Sequence, residues 1–149
     1  MRRIVTGYDD EGKATIAAVN QLAAAAPEGK ESELLYFWRT FGGHTVPVPA
    51  GDPTEGMTDF FPPADGTTCI VGLIPPGGQV PLHLTDSTDY GILISGNVWL
   101  VMEDGSEVEL QPGDCVIQTG GLHAWENRGD TTSTMYFVMV GAVRKAATD

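Results

Sequence analysis

From Thr67 onward, apolar and polar residues alternate in short runs, and each run is closed by a turn. Val98, Leu100 and Met102 fall on one face of a strand, and Asn97, Trp99, Val101 and Glu103 on the other. Glu107 and Glu109 alternate with Val108 and Leu110, so that strand has one wet face. The runs Thr67–Ile74, Gln79–Leu84, Tyr90–Ile94, Asn97–Glu103, Glu107–Leu110, Asp114–Gln118 and Thr134–Val143 read as strands. Between them stand Pro75-Pro76-Gly77-Gly78, Gly96-Asn97, Gly120-Gly121 and Arg128-Gly129-Asp130. Asp104-Gly105 predicts a hairpin in which both turn residues take positive φ, and Pro112-Gly113 suits a type II turn. Turn signals every ~8–12 residues imply an antiparallel sandwich or small barrel.

The first 66 residues read differently. Ile4 and Val5 offer one more strand, closed by Asp9-Asp10-Glu11-Gly12. The stretch after Lys13 starts β-like, and its alanines permit a helical turn or two around Asn20–Ala26. Leu34–Phe41 is aromatic and apolar and reads as a strand. Pro47–Ala64 is too rich in Pro and Gly for a regular element. It reads as a strap that covers a barrel mouth. The expected organisation is one domain: an arm, strands and strap over 1–66, integral to a barrel over 67–149.

Composition narrows the partners. A net charge of −12 argues against nucleic acid and anionic membranes, both of which are polyanions. No run of ~18 apolar residues predicts a membrane span, and the N-terminus lacks the apolar segment of a signal peptide. Cys69 and Cys115 lie in apolar strands without zinc or redox spacing, so buried free thiols and a cytoplasmic setting are expected.

The candidate chemistry sits between Gly77 and Asn127. Gly77-x5-His83-x-Thr85-x3-Asp89-x6-Gly96 is followed by Gly113-x4-Gln118-x-Gly120-x2-His123-x3-Asn127. These spacings resemble the two motifs of the cupin superfamily. In that family the first motif is glycine, five residues, His-x-His, three or four residues, Glu, six residues, glycine. The second is glycine, five residues, Pro-x-Gly, two residues, His, three residues, Asn. Thr85 stands in the place of the second histidine, Asp89 of the glutamate and Gln118 of the proline. The second motif is also one residue short. The variant looks like that of small bacterial and fungal cupins, several of which belong to polyketide or aromatic-compound pathways.

The resemblance implies an all-β double-stranded β-helix, a jelly-roll barrel with little helix, in which His83, Asp89 and His123 bind one divalent ion. Two histidines and a carboxylate suit Fe, Mn, Ni or Zn. Thr85 is a poor ligand that hydrogen-bonds water or substrate instead, and Asp89 reaches one methylene less far than Glu. In a metal-free version His123 and Asp89 form an acid–base pair, with Thr85 and Tyr90 orienting the substrate. The expected activity is a lyase, isomerase or cyclase step on a small organic acid, ketone or polyketide-like molecule. The alternatives are an iron-dependent dioxygenase or a non-catalytic small-molecule binding module. Pairing through edge strands and N-terminal arms implies a homodimer. His44 is expected in solvent, Trp99 and Trp125 in packing, and Asn127 at a turn.

Overall fold

A computed structural model describes residues 1–145, so the last four residues of the expected barrel segment lie outside the described residues. Eleven strands form three antiparallel sheets, and the described residues contain no helix. In order they are β1 Arg2–Tyr8, β2 Ala14–Gln21, β3 Glu33–Thr40, β4 Thr67–Ile74, β5 Gln79–His83 and β6 Ser87–Ser95. There follow β7 Val98–Met102, β8 Glu107–Leu110, β9 Cys115–Gln118, β10 His123–Glu126 and β11 Ser133–Gly141. One sheet runs β5-β10-β7-β8 and the other β3-β4-β11-β6-β9, while β1 and β2 form a separate hairpin. This is the all-β double-stranded β-helix.

The core lies between the two larger sheets. Ile74, Leu93, Val98, Leu100, Leu110, Trp125 and Met135 are its buried centre, all from inward-facing positions. A second cluster joins Leu34 on β3 with Ile70 and Met139, and Phe60 of the strap packs on it. Gly91 makes room for the inner wall, since a Cβ there would lie 3.0 Å from the Phe137 ring.

Several local expectations are corrected. The helical turn over Asn20–Ala26 is not formed, because β2 pairs along its length with β1 and Ala25 then bridges Leu34. Cross-strand pairing overrides alanine's helix preference. The Asp104-Gly105 hairpin forms between β7 and β8, but only Gly105 has positive φ. The Gly105 amide donates to the Met102 carbonyl, which marks a tighter first turn followed by a glycine bulge. Pro112-Gly113 does make the expected turn, with Gly113 at φ 100° and Asp114 N–H donating to Gln111 O. Cys69 is half-buried, but Cys115 is exposed because it takes an outward position on β9. The short strand β10, His123–Glu126, is too brief to show a period in the sequence.

Asn127 lies at a turn, as its place in the motif suggests, and is 1 % exposed. Its Nδ2 donates to the carbonyls of Ile74 (2.8 Å) and Thr131 (2.7 Å), and its Oδ1 accepts from Gly129 N–H at 2.9 Å. One side chain thus ties the end of β4 to the loop before β11.

Candidate functional site

Strand alternation decides which motif residues meet. On β6, Ser87 and Asp89 face inward and Tyr90 faces out. Asp89 pairs across the sheet with Met139 of β11 and Gln118 of β9, both buried. On the opposite sheet His123 of β10 pairs with His83 of β5. A bulge sets three steps on β5 against two on β10 between this pair and the Val80–Trp125 pair. Such a bulge re-aims the side chain beside it, here His83 at the end of the edge strand.

His83, Thr85, Asp89 and His123 all line one cavity of about 260 Å³. Its other walls are mainly apolar, built from Ile70, Phe137 and Met139 on one sheet and Val80 and Trp125 on the other. Phe60 and Phe61 of the strap close over it. Tyr90 is 44 % exposed on the outer face and does not enter the cavity, because its neighbour Asp89 takes the inner position. His44 lies exposed in the loop between β3 and the strap and does not line the cavity. Trp125 is a core residue that also forms cavity wall, and Trp99 is half-buried under the Arg128 guanidinium at 4.5 Å.

The two imidazoles lie 4.4 Å apart between centroids, and His123 meets Trp125 edge-on at 5.5 Å. His83 Nδ1 lies 2.8 Å from Pro81 O, and His123 Nδ1 lies 2.9 Å from Gly121 O. A carbonyl only accepts, so each Nδ1 carries the proton and each Nε2 keeps its lone pair. Burial lowers the pKa of His123 and nearby His83 lowers it further, against the Gly121 carbonyl and Asp89, which raise it. His123 is therefore held neutral and ready to accept a proton or a ligand.

Asp89 is 4 % exposed, and both of its oxygens are engaged. Thr85 Oγ1 donates to Oδ2 at 3.1 Å and Ser87 Oγ to Oδ1 at 2.5 Å. Thr85, where the family motif has histidine, thus hydrogen-bonds the carboxylate. The two imidazoles fit a metal ion: their tautomer is set by the Pro81 and Gly121 carbonyls and their Nε2 atoms lack protein partners among the described residues. The full trio does not fit as it stands. Among the described residues no three His, Cys, Asp or Glu converge closely enough to hold an ion. Ser87, absent from the expected site, was signalled by its position two residues before Asp89 on the same strand face. The aromatic walls had no local signal.

Comparison with known proteins agrees with this architecture. A cupin domain model matches residues 71–140. The chain is 34 % identical over 144 residues to the cupin-domain-containing oxidoreductase fogC of Aspergillus ruber, covering 93 % of this chain and 71 % of that protein. It is 39 % identical over 84 residues to phomopsin biosynthesis cluster protein D of Diaporthe leptostromiformis. That match covers 56 % of this chain but only 44 % of the relative, so the chain spans less than half of that protein's length. Its fold is similar to that of a predicted oxalate decarboxylase from Thermotoga maritima, with a TM-score of 0.51 at 18 % identity over 80 % of this chain and 90 % of that one. With the barrel, a cupin domain model over residues 71–140 and a relative matched along 93 % of this chain, the chain belongs to the cupin superfamily.

Proposed function

We propose that this chain is a cupin enzyme of secondary metabolism. It transfers a proton on a small, mostly apolar carbonyl compound, in a dehydration, decarboxylation or cyclisation. One observation carries the reading: His83 and His123 face each other with Nδ1 fixed and Nε2 free, in a cavity whose other walls are largely apolar. Apolar walls take a flat or aliphatic body and exclude water, while the few polar groups orient it. Neutral His123 accepts a proton at Nε2 from the carbon beside the carbonyl. The proton taken up at His123 Nε2 is then returned to the departing or newly formed group, while His83 Nε2, beside it, accepts a hydrogen bond that orients the substrate. Asp89, held by Thr85 and Ser87, keeps a negative charge close enough to favour the imidazolium that forms on His123. The relatives' names support small-molecule biosynthesis.

A second reading is a divalent ion, Fe, Mn, Ni or Zn, held by the Nε2 atoms of His83 and His123 with Asp89 beside them. The two free Nε2 atoms favour it, and the word oxidoreductase in the name of the fogC relative favours iron. Such an ion would polarise a bound carbonyl or, as iron, support oxidation by O2.

Metal analysis separates the two. Protein purified without tag or chelator is compared with His83→Ala, before and after anaerobic loading with each metal. The first reading expects no stoichiometric metal in either. Near-stoichiometric metal in the wild type, lost in the variant, would overturn it for the second.

A further inference from the structure

The cavity has a second polar end. Gln79 opens β5 and His83 closes it, four residue steps or about 13 Å along the strand. His83, His123, Thr85 and Asp89 therefore cluster at one end of the cavity, and Gln79 lines the other. Ser32 lies at that other end too. It immediately precedes Glu33, which pairs with Leu73 near the close of β4, and β4 leads through the Pro75–Gly78 turn to Gln79. Asp89, by contrast, is level with Thr68 at the start of β4 through Met139.

Ser32 lines the cavity and is only 8 % exposed, yet its Oγ has no hydrogen-bond partner. A buried hydroxyl left unpaired costs ~1–3 kcal/mol, so this one calls for an acceptor or donor from outside the chain. Lys30 lines the same part of the cavity and is exposed at its rim. Among the described residues it makes no ion pair. In a chain of net charge −12, a lone ammonium beside an unpaired buried hydroxyl at a cavity rim is a place for an anion.

We infer that the ligand is an elongated monocarboxylate: its carboxylate is bound at the rim by Lys30 and Ser32, its apolar body lies along Val80, Phe137 and Trp125, and its reacting end reaches His83 and His123. This rests on the proposed function for the role of the histidine end, but the rim site is separable from it. A carboxylate at the rim orients the molecule and keeps its charge out of the apolar centre, where an unpaired ion is disfavoured.

The test uses octanoate, with octanol and methyl octanoate as uncharged probes of the same body. Binding to the full chain is followed by calorimetry and by quenching of tryptophan fluorescence, to which Trp125 in the cavity wall contributes. Octanoate should bind about tenfold more tightly than octanol, within what a charge-assisted hydrogen bond supplies. Lys30→Gln should remove that advantage and leave octanol unchanged. Lys30 is exposed, so the variant should fold as the wild type does. Ser32→Ala should weaken octanoate selectively and raise, not lower, the melting temperature, because it removes an unpaired hydroxyl.

Equal binding of octanoate and octanol by the wild type would overturn the inference, as would an unchanged octanoate affinity in Lys30→Gln. If His83→Ala abolishes octanoate binding while Lys30→Gln does not, the carboxylate sits at the histidine end. The rim site then fails while the catalytic reading stands. If His83 and His123 variants have no effect on turnover but Lys30→Gln still weakens octanoate, the catalytic reading fails and the rim site stands.

Discussion

At the scale of single residues, burial and pairing set the consequences. Asn127 makes three hydrogen bonds from a fully buried position, two as donor and one as acceptor. Asn127→Ala would leave the Ile74 and Thr131 carbonyls without their partner, at a cost of about 3 kcal/mol. Urea denaturation of the variant should show that loss with little change in slope. Asn127→Asp should also destabilise, since a carboxylate facing two carbonyls donates nothing to them. Asn127 is the last position of the second motif, so its importance was visible in the sequence. Its partners were not, because Ile74 lies 53 residues away. Tyr90 shows the opposite case: it sits beside Asp89 in sequence, yet strand alternation sends it to solvent.

At the scale of elements, the β1–β2 hairpin is fastened to the strap through Arg3. Arg3 is buried and ion-paired with Asp52; it also donates to Thr54 Oγ1 at 3.1 Å and to the Phe37 carbonyl at 3.3 Å. The Arg3 hydrogen bond, with help from Thr54, holds the Asp52 carboxyl well below the usual carboxylate range. A carboxyl whose folded pKa is depressed contributes stability that is fully present above its unfolded value, ~4, and is lost progressively as pH falls from there through the folded pKa. The protection of amides in residues 1–21, relative to their intrinsic exchange rates, should therefore fall progressively below about pH 4 while the β4–β11 pairing stays protected. Arg3→Ala should show the same local opening already at pH 7. Equal exchange at pH 7 in the variant and wild type would show that the hairpin is held by other contacts. The strand runs after Thr67 were legible because alternation and turn residues agree there. The alanine-rich β2 was not, since its conformation is decided by its partner strand.

At the scale of the whole molecule, the inner and outer faces of the five-stranded sheet pose different questions. The inner face builds the cavity. The outer face leaves Tyr90, Ile92, Ile117, Val138 and Val140 exposed together, in adjacent registers of β9, β6 and β11. An uncharged face on a chain of net charge −12 is one that a second copy meets without repulsion at the contact itself. Sedimentation equilibrium is expected to give a homodimer, and Tyr90→Glu to give a monomer with an unchanged circular dichroism spectrum. A wild-type monomer at high concentration would refute the pairing. For crossing a membrane, no helix among the described residues is long or apolar enough.

The sequence alone determined the β class, the turn positions and the motif spacing that marks the cupin barrel. These depend on period-2 alternation, on Gly and Pro conformational limits and on intervals counted along the chain, all of which are local. It also named His83, Thr85, Asp89 and His123. Only the tertiary structure decided how their side chains are placed. Thr85 and Ser87 turn their hydroxyls on Asp89, both imidazoles bind backbone carbonyls at Nδ1, and Tyr90 is left outside. It alone placed Lys30 and Ser32, from the segment before β3, at the rim of a cavity built by β4, β5, β10 and β11. The physical reason is that hydrogen-bond partners and cavity walls are set by which strands pair across the barrel, and the pairs that matter here are separated by tens of residues.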